Sequence, residues 1–396
     1  MLSALLLLTL QAPADADAGL VLDVGVALTM DDRRVIHNAR ILVDADGRLT
    51  AVGRQTELDA PEGWEHLDYP RSWAWPGGID LHSHTHTGGW EDINDMVHPD
   101  NPELRTLDTI VADNPLHRLG RAGGVTMVNA IPGSGTNISG AGTLVRLKPS
   151  TLVEDVVERY PGSVKVAQGY NPERSGDLGG TRMGMWWMLR WYLDAARRES
   201  GGPPEANPEL ASLIGIFQEQ HPFLVYTAGA RDTYGTARMF QVEAGVPAII
   251  SHGSFNGYEV GEALAALDAP LNIGPRNFDF SFNQQARFRG LVEAYESSGN
   301  VDISVQTDAG VIPQEEYLYQ ATLAERLGCT TWTALESIAM RPAAQIMVDD
   351  RYGRLRAGME ADLVVSAGQP LDPRAPVELV LIAGKVAYDI RDGQQY

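Results

Sequence analysis

A chain of 396 residues with 44% hydrophobic and 21% charged side chains has the size and composition of one large folded unit or two ordinary ones, and excludes an intrinsically disordered protein. Its formal net charge of −21 excludes nucleic acid and anionic membrane surfaces as partners, since both would repel it. The single cysteine, Cys329, excludes an intramolecular disulfide. In Gly-Cys-Thr-Thr, ahead of a predicted helix, it also has no base nearby to activate it and reads as a small buried or tolerated residue.

At the start, residues 2–10 form a short apolar run, and Ala16-Asp17-Ala18 resembles a cleavage site before Gly19. That is signal-peptide architecture, although no Lys or Arg precedes the run. The run is too short to cross a bilayer. The expectation is removal of 1–18 and export to the periplasm or beyond, with cytoplasmic residence if the leader is not a signal. From about 20 to 75, β-type runs at 21–28, 40–43 and 49–52 alternate with turns such as Asp46-Gly47. A matching set returns at 362–366 and 377–388, turned by Ala383-Gly384-Lys385. Two β-rich ends around a different middle predict one discontinuous β domain, 19–75 plus 353–396.

The middle, 76–352, reads as strand–helix units. Candidate strands lie at 79–83, 125–130, 143–148, 163–168, 223–228, 247–252, 270–274 and 301–307. Eight is the number that a closed parallel barrel needs. Helical spacing marks 259–267, 283–297 and 315–327. Thr333 with Glu336 resembles a capping box opening a further helix, interrupted at Arg341-Pro342. Barrel enzymes carry their chemistry at the C-terminal ends of the strands, which directs attention to the polar residues there.

The first of these strands follows a Pro-Gly-Gly turn in Trp75-Pro76-Gly77-Gly78-Ile79-Asp80-Leu81-His82-Ser83-His84-Thr85-His86. Residues i and i+2 of a strand share a side, so His82 and His84 would converge and make half of a divalent-metal site. The plain alternative is a hydrogen-bonded or surface histidine pair. The apolar strand and the preceding Asp80 favour the metal.

Pro-Gly-x-Ile-Asp-x-His-x-His resembles the first-strand motif of the amidohydrolase superfamily of metal-dependent hydrolases. The likeness begins with Val43-Asp44-Ala45-Asp46-Gly47-Arg48-Leu49 and ends with Gly353-Arg354-Leu355-Arg356-Ala357-Gly358-Met359-Glu360-Ala361-Asp362. Within the superfamily the chain is most similar to an imidazolonepropionase-like and prolidase-like branch, much of it exported. Gly124-Val125-Thr126, Pro132-Gly133-Ser134, Lys165-Val166-Ala167-Gln168-Gly169-Tyr170-Asn171-Pro172-Glu173-Arg174 and Thr181-Arg182-Met183-Gly184 carry that likeness. The resemblance implies an α/β fold, a parallel (β/α)8 TIM-like barrel with a small β-sandwich built from both chain ends. It also implies hydrolysis of a C–N bond, in a cyclic amide or small peptide-like substrate, by metal-activated water.

Lys165 aligns with the lysine that many members carboxylate to bridge two metals; its alternative is pairing with a carboxylate or snorkelling out of the barrel. His252, ending an apolar strand, matches the sixth-strand ligand; otherwise it caps the strand. Asp308 matches the eighth-strand carboxylate, able to bind metal and to shuttle a proton from water to the leaving group; otherwise it serves a turn or a helix cap. The ligand set implied is His82, His84, Lys165, His252 and Asp308, with Asp308 and His252 as catalytic groups. The departure is in the fifth strand, where a histidine is expected and Thr227 stands, or Tyr226 if the alignment slips by one. A neutral hydroxyl is a poor zinc ligand. One divalent ion, zinc by donor type, is therefore expected rather than two, with manganese, iron and nickel tolerated. His86 or His98 would contribute only if a loop folded inward. Tyr170 is a second departure, where the branch carries Glu.

Two rival readings stand beside the hydrolase: a mononuclear deaminase, and a non-catalytic binding protein on the same fold. Four polar groups kept inside an apolar barrel would be costly if they bound nothing. The glycine-rich loop 132–142 lacks a phosphate-loop lysine and either lines the substrate mouth or simply connects. Trp186, Trp187 and Trp191 read as core or subunit contacts, and Arg174 and Arg182 as carboxylate binders or solvated arginines. The expected partner is a small molecule, with homo-oligomerisation open.

Overall fold

The computed structural model describes residues 18–87, 92–173, 179–281 and 287–392. The leader run 2–10, most of the cleavage-like segment and Arg174 lie outside them. Strands β1 (Leu20–Leu28), β2 (Val35–Val43), β3 (Leu49–Arg54) and β4 (Glu65–Pro76) open the chain. β1 runs antiparallel to β2 and parallel to β4. On this sheet Arg40 donates to Asp23 at 2.8 and 2.7 Å, and His66 Nε2 lies 2.9 Å away. Burial pushes the Asp23 carboxyl up, but these hydrogen bonds outweigh it and hold it below the usual carboxylate range. Its contribution to stability is thus present above about pH 4 and lost as pH falls further. Asp23→Asn should flatten that acid limb when unfolding midpoints are measured between neutral and strongly acid pH.

The middle supplies β5 (Gly78–Ser83), β6 (Val125–Ala130), β7 (Ile138–Ala141), β8 (Thr143–Arg146), β9 (Val157–Arg159) and β10 (Val164–Ala167). It continues with β11 (Phe223–Tyr226), β12 (Ala248–His252), β13 (Leu271–Ile273), β14 (Phe278–Ser281), β15 (Arg287–Gly290) and β16 (Ile303–Val305). β5 and β6 are parallel, as are β10, β11, β12, β13 and β16 in succession. The expected third parallel strand is not one: β8 pairs antiparallel with β6, and β7 antiparallel with β10. The reason is the connection. No helix lies between β6 and β8, and a parallel return needs a crossover of a dozen or more residues, usually helical. A closed ladder of eight parallel strands is therefore absent among the described residues. One extended run, β7 into β8, bridges a six-stranded and a four-stranded sheet, and a parallel bridge Ser83↔Ala309 joins their other edges. The loop expected at 132–142 accordingly ends in the buried strand β7.

Helices pack outside the parallel strands. The longest, Arg182–Glu199, is capped by Thr181, whose side chain accepts the Gly184 N–H. Its Leu189 and Leu193 bury against Val166, Phe223 and Val225, while Trp187 and Trp191 on its other side are exposed rather than core. The helix expected over 283–297 begins only at Leu291, after β15. The expected box at Thr333 is instead a cap by Thr330, which accepts the Thr333 N–H and opens the helix Thr331–Glu336. The chain ends in β17 (Leu363–Ser366), β18 (Val377–Ile382) and β19 (Lys385–Asp389). β17 pairs antiparallel with β4, so both chain ends share one seven-stranded sheet, ordered β19-β18-β17-β4-β1-β2-β3. A second layer that would make it a sandwich is not seen among the described residues. Among them, too, no helix is long and apolar enough to cross a membrane.

Candidate metal centre

In register, Lys165, Leu224 and Ile249 form one row across β10, β11 and β12. Two residues on, toward the strand ends, Tyr226 and Ser251 form the next row on the same face. Below them Leu224 and Ile249 pack with Ile79, Leu81, Met127 and Leu144 into an apolar floor. On this floor the polar residues gather. His252 follows Ser251 and by strand alternation would point away; its φ of +69° turns the ring back toward His82, 4.6 Å between centroids. Asp308, at φ +51°, is likewise left-handed. Such backbone is unfavourable for residues other than glycine and concentrates at functional sites.

His82 and His84 converge as expected, ring centroids 5.3 Å apart, but through an irregularity in β5 rather than simple alternation. Asp80 holds it: Oδ1 accepts the His82 N–H (3.1 Å) while Oδ2 accepts from Thr307 Oγ1 (2.5 Å) and Gln314 Nε2 (2.6 Å). Burial outweighs these bonds and pushes the Asp80 pKa up to about 6.

All three imidazoles are anchored through Nδ1. His84 Nδ1 donates to Ile131 O (2.9 Å) and His252 Nδ1 to Gly274 O (2.7 Å), while His82 Nδ1 meets Ser251 Oγ at 2.7 Å. Gln306 donates to the same Gly274 carbonyl at 2.6 Å. Carbonyl partners fix the proton on Nδ1 and direct the Nε2 lone pair inward, as in histidine metal sites. Asp308 Oδ1 lies 3.2 Å from both His82 Nε2 and His84 Nε2. His252 Nε2 is buried without a partner. Possible ligand atoms of His82, His252 and Asp308 all fall within 4.8 Å of one another.

Burial drives His82 well below its ordinary pKa and His252 down to about 4, so both are neutral at neutral pH. Asp308 is pushed up by burial, but the histidines outweigh that and hold it well below the usual carboxylate range. With the ring protons on Nδ1, Nε2 lone pairs face this carboxylate across 3.2 Å, and the His252 Nε2 is orphaned beside them, so the carboxylate stays ionised only with positive charge among these atoms, brought by a proton or a metal ion. A single divalent cation among these atoms would satisfy all of them, so the residues fit the group. Lys165 Nζ lies 2.9 Å from His82 Nε2, fully buried, and burial lowers its pKa to about 7 against the pull of Asp308. Near neutral pH a large share of it is then an uncharged amine.

Five of the residues singled out from sequence thus meet in one place: His82, His84, Lys165, His252 and Asp308. Thr227 does not face them; its hydroxyl donates to Ser251 O at 3.0 Å. Tyr226 does, its ring centroid 4.6 Å from that of His252. Burial raises its pKa to about 12, so it remains a phenol. His86 is buried apart from the ligand atoms, and His98 is exposed beside a different cavity. Arg182 is paired with Glu173 (3.0 Å) and Asp232 (2.9 Å). Cys329 is buried and free. Ser251 and Gln306, which orient the histidines, escaped the sequence reading. The signal for Ser251 was a hydroxyl inside the apolar run of β12; Gln306, just past the end of β16, gave none.

Fold and site together define an α/β protein of parallel strands with a histidine–carboxylate centre at their C-terminal ends. No protein-family model matches the chain. An amidohydrolase, tasK, of Hapsidospora irregularis is 24% identical over 361 residues, 79% of this chain. The chain spans about a third of that relative's length, 36%. The crystal structure of an amidohydrolase from Thermotoga maritima superposes with a TM-score of 0.81 at 25% identity, covering 93% of this chain and all of that one. A prolidase crystallised with N-methylphosphonate-L-proline gives 0.59 at 17% identity, over 94% of this chain and 100% of that one, a likeness of fold. In sequence and in fold the chain is thus similar to amidohydrolases.

Proposed function

We propose that the protein hydrolyses a C–N bond, in a cyclic amide or small peptide-like substrate, at a centre holding one divalent ion. The observation that carries this is the convergence of three anchored imidazoles on one ionised carboxylate. His82, His84, His252 and Asp308 would hold the ion, with Lys165 beside it. Imidazole and carboxylate donors suit zinc. When bound, such an ion supplies Lewis acidity and a water acidic enough to deprotonate near neutral pH. Asp308 would accept the proton of an attacking water and return it to the departing nitrogen. Through its one free nitrogen His252 would either assist the ion or steer the carbonyl oxygen, and Tyr226 would close the side of the site as a protonated donor. We assign this chemistry to 76–352 and treat 19–75 plus 353–396 as a companion domain.

Protein purified without chelator should contain about one equivalent of divalent metal and hydrolyse members of an amide, dipeptide and lactam panel. Less than about a tenth of an equivalent, allowing for weak sites, sinks the proposal, and two tightly held ions sink its single-ion form. Ammonia release from aminated heterocycles with no amide hydrolysis would make it a deaminase instead. Histidine substitutions test the fifth strand. Tyr226→His adds an imidazole on the row facing the site and should raise bound metal above one equivalent. Thr227→His, at a position facing the Ser251 carbonyl, should not.

A further inference from the structure

Four non-glycine residues just beyond or at the ends of β10, β12 and β16 have left-handed backbone: Tyr170 (φ +60°), His252, Phe255 (φ +50°) and Asp308. Two of them belong to the centre described above. The other two are aromatic side chains, 72% and 43% exposed, and both line one cavity of about 420 Å³. Unfavourable backbone that presents large apolar rings to an open cavity has no packing explanation. It matches the way ligand clamps are held. One side of Phe255 is occupied by Arg276, whose guanidinium carbon lies 5.3 Å from the ring centre.

The cavity is lined by loops that follow the strands carrying the centre. Tyr170 follows the strand of Lys165, Arg231 follows that of Tyr226, and Phe255 comes three residues after His252. Its charges are unequal in availability. Arg182 is neutralised by Glu173 and Asp232. Arg231 is exposed, has no ion pair among the described residues, and lines both this cavity and an adjoining groove of about 540 Å³. In a chain of net charge −21, a cation so placed draws an anionic ligand to a surface that elsewhere repels it.

We infer that this cavity is a substrate subsite for an aromatic ring bearing an anionic group, the ring held by Tyr170 and Phe255 and the anion by Arg231. Which bond is then cut rests on the function proposed above; the binding itself does not.

The test uses ligands without a scissile amide. 3-Phenylpropionate, 3-phenylpropan-1-ol and butyrate are titrated into the full-length metal-loaded protein by calorimetry. 3-Phenylpropionate should bind at least about tenfold more tightly than either of the others. Tyr170→Ala and Phe255→Ala should each weaken it by about two- to tenfold, the range of an aromatic contact. Arg231→Met should weaken it by about tenfold, as expected for a lost charged hydrogen bond, and leave the alcohol unaffected. These side chains are exposed, and unchanged melting temperatures would show that the variants fold. Equal affinity for the three probes overturns the inference. So does binding that a chelator abolishes and Arg231→Met does not touch, which would put the carboxylate on the metal. Ring-dependent binding in a protein that cleaves no amide would sink the proposed hydrolysis and leave the subsite standing. Hydrolysis indifferent to Tyr170 and Phe255 would do the reverse.

Discussion

Asp308→Asn should lower kcat by about 10²- to 10⁴-fold, the share that positioned proton transfer contributes. The substitution keeps the shape of the side chain and removes two things at once, the negative charge and the ability to take a proton. Both matter here because the His82 and His84 Nε2 atoms face the same carboxylate oxygen at 3.2 Å. The carboxyl lies well below the usual range, so it is ionised at any working pH and the loss should not depend on pH between neutral and mildly alkaline. Metal content has to be measured on the same preparation. Retained metal with lost turnover assigns Asp308 to proton transfer, whereas loss of both that excess metal restores assigns it to holding the ion. A binding protein on this fold would have no turnover to lose. An unchanged rate in an active enzyme would remove Asp308 from the mechanism.

His82, Lys165 and His252 were legible in the sequence because they stand at or inside short apolar runs, where a polar side chain demands a reason, whereas Asp308 follows Gln306-Thr307 and was marked by the family resemblance. The geometry that makes them useful was not legible. Strand alternation places Ser251, not His252, toward the site, and only the left-handed backbone at His252 reverses this. Local dihedral choices of that kind leave no trace in a periodic pattern. The same blindness affected Thr227 and Tyr226, where alignment favoured the first and register across β10, β11 and β12 brings the second to the site. Orientation of β8 was missed for a different reason. Direction depends on what fills the connection, and a strand such as β7 inside 132–142 looks in sequence like a glycine-rich loop. Tyr170 stood out in the sequence only as a departure from the family pattern, and Phe255 not at all, because a single exposed aromatic residue is ordinary; what sets them apart is backbone conformation and a shared cavity.

The largest effect on stability is expected far from this centre. Arg146 on β8 is 4% exposed at its side chain and bonds both carboxylate oxygens of Asp362, just ahead of β17. Glu360 and Glu158 lie 3.5 and 3.9 Å from it, and Tyr352 carries its ring 5.3 Å from the guanidinium. Asp362 also accepts the Ala383 N–H at 2.7 Å. One buried arginine therefore joins the four-stranded sheet to the sheet formed by the chain ends. Arg146→Met should cost about 3–5 kcal/mol, the usual penalty for leaving buried carboxylates uncompensated. Arg351, 39% exposed, would remain the partner of Glu158 and Glu360 but has no ion pair with Asp362. Urea denaturation should show the midpoint falling, with turnover per folded molecule unchanged. The double variant Arg146→Met/Asp362→Leu should recover much of the loss, because removing both members of a buried pair spares the interior an unpaired charge. If Arg146→Met alone is neutral, water reaches this junction and the two sheets are held together by their apolar contacts instead.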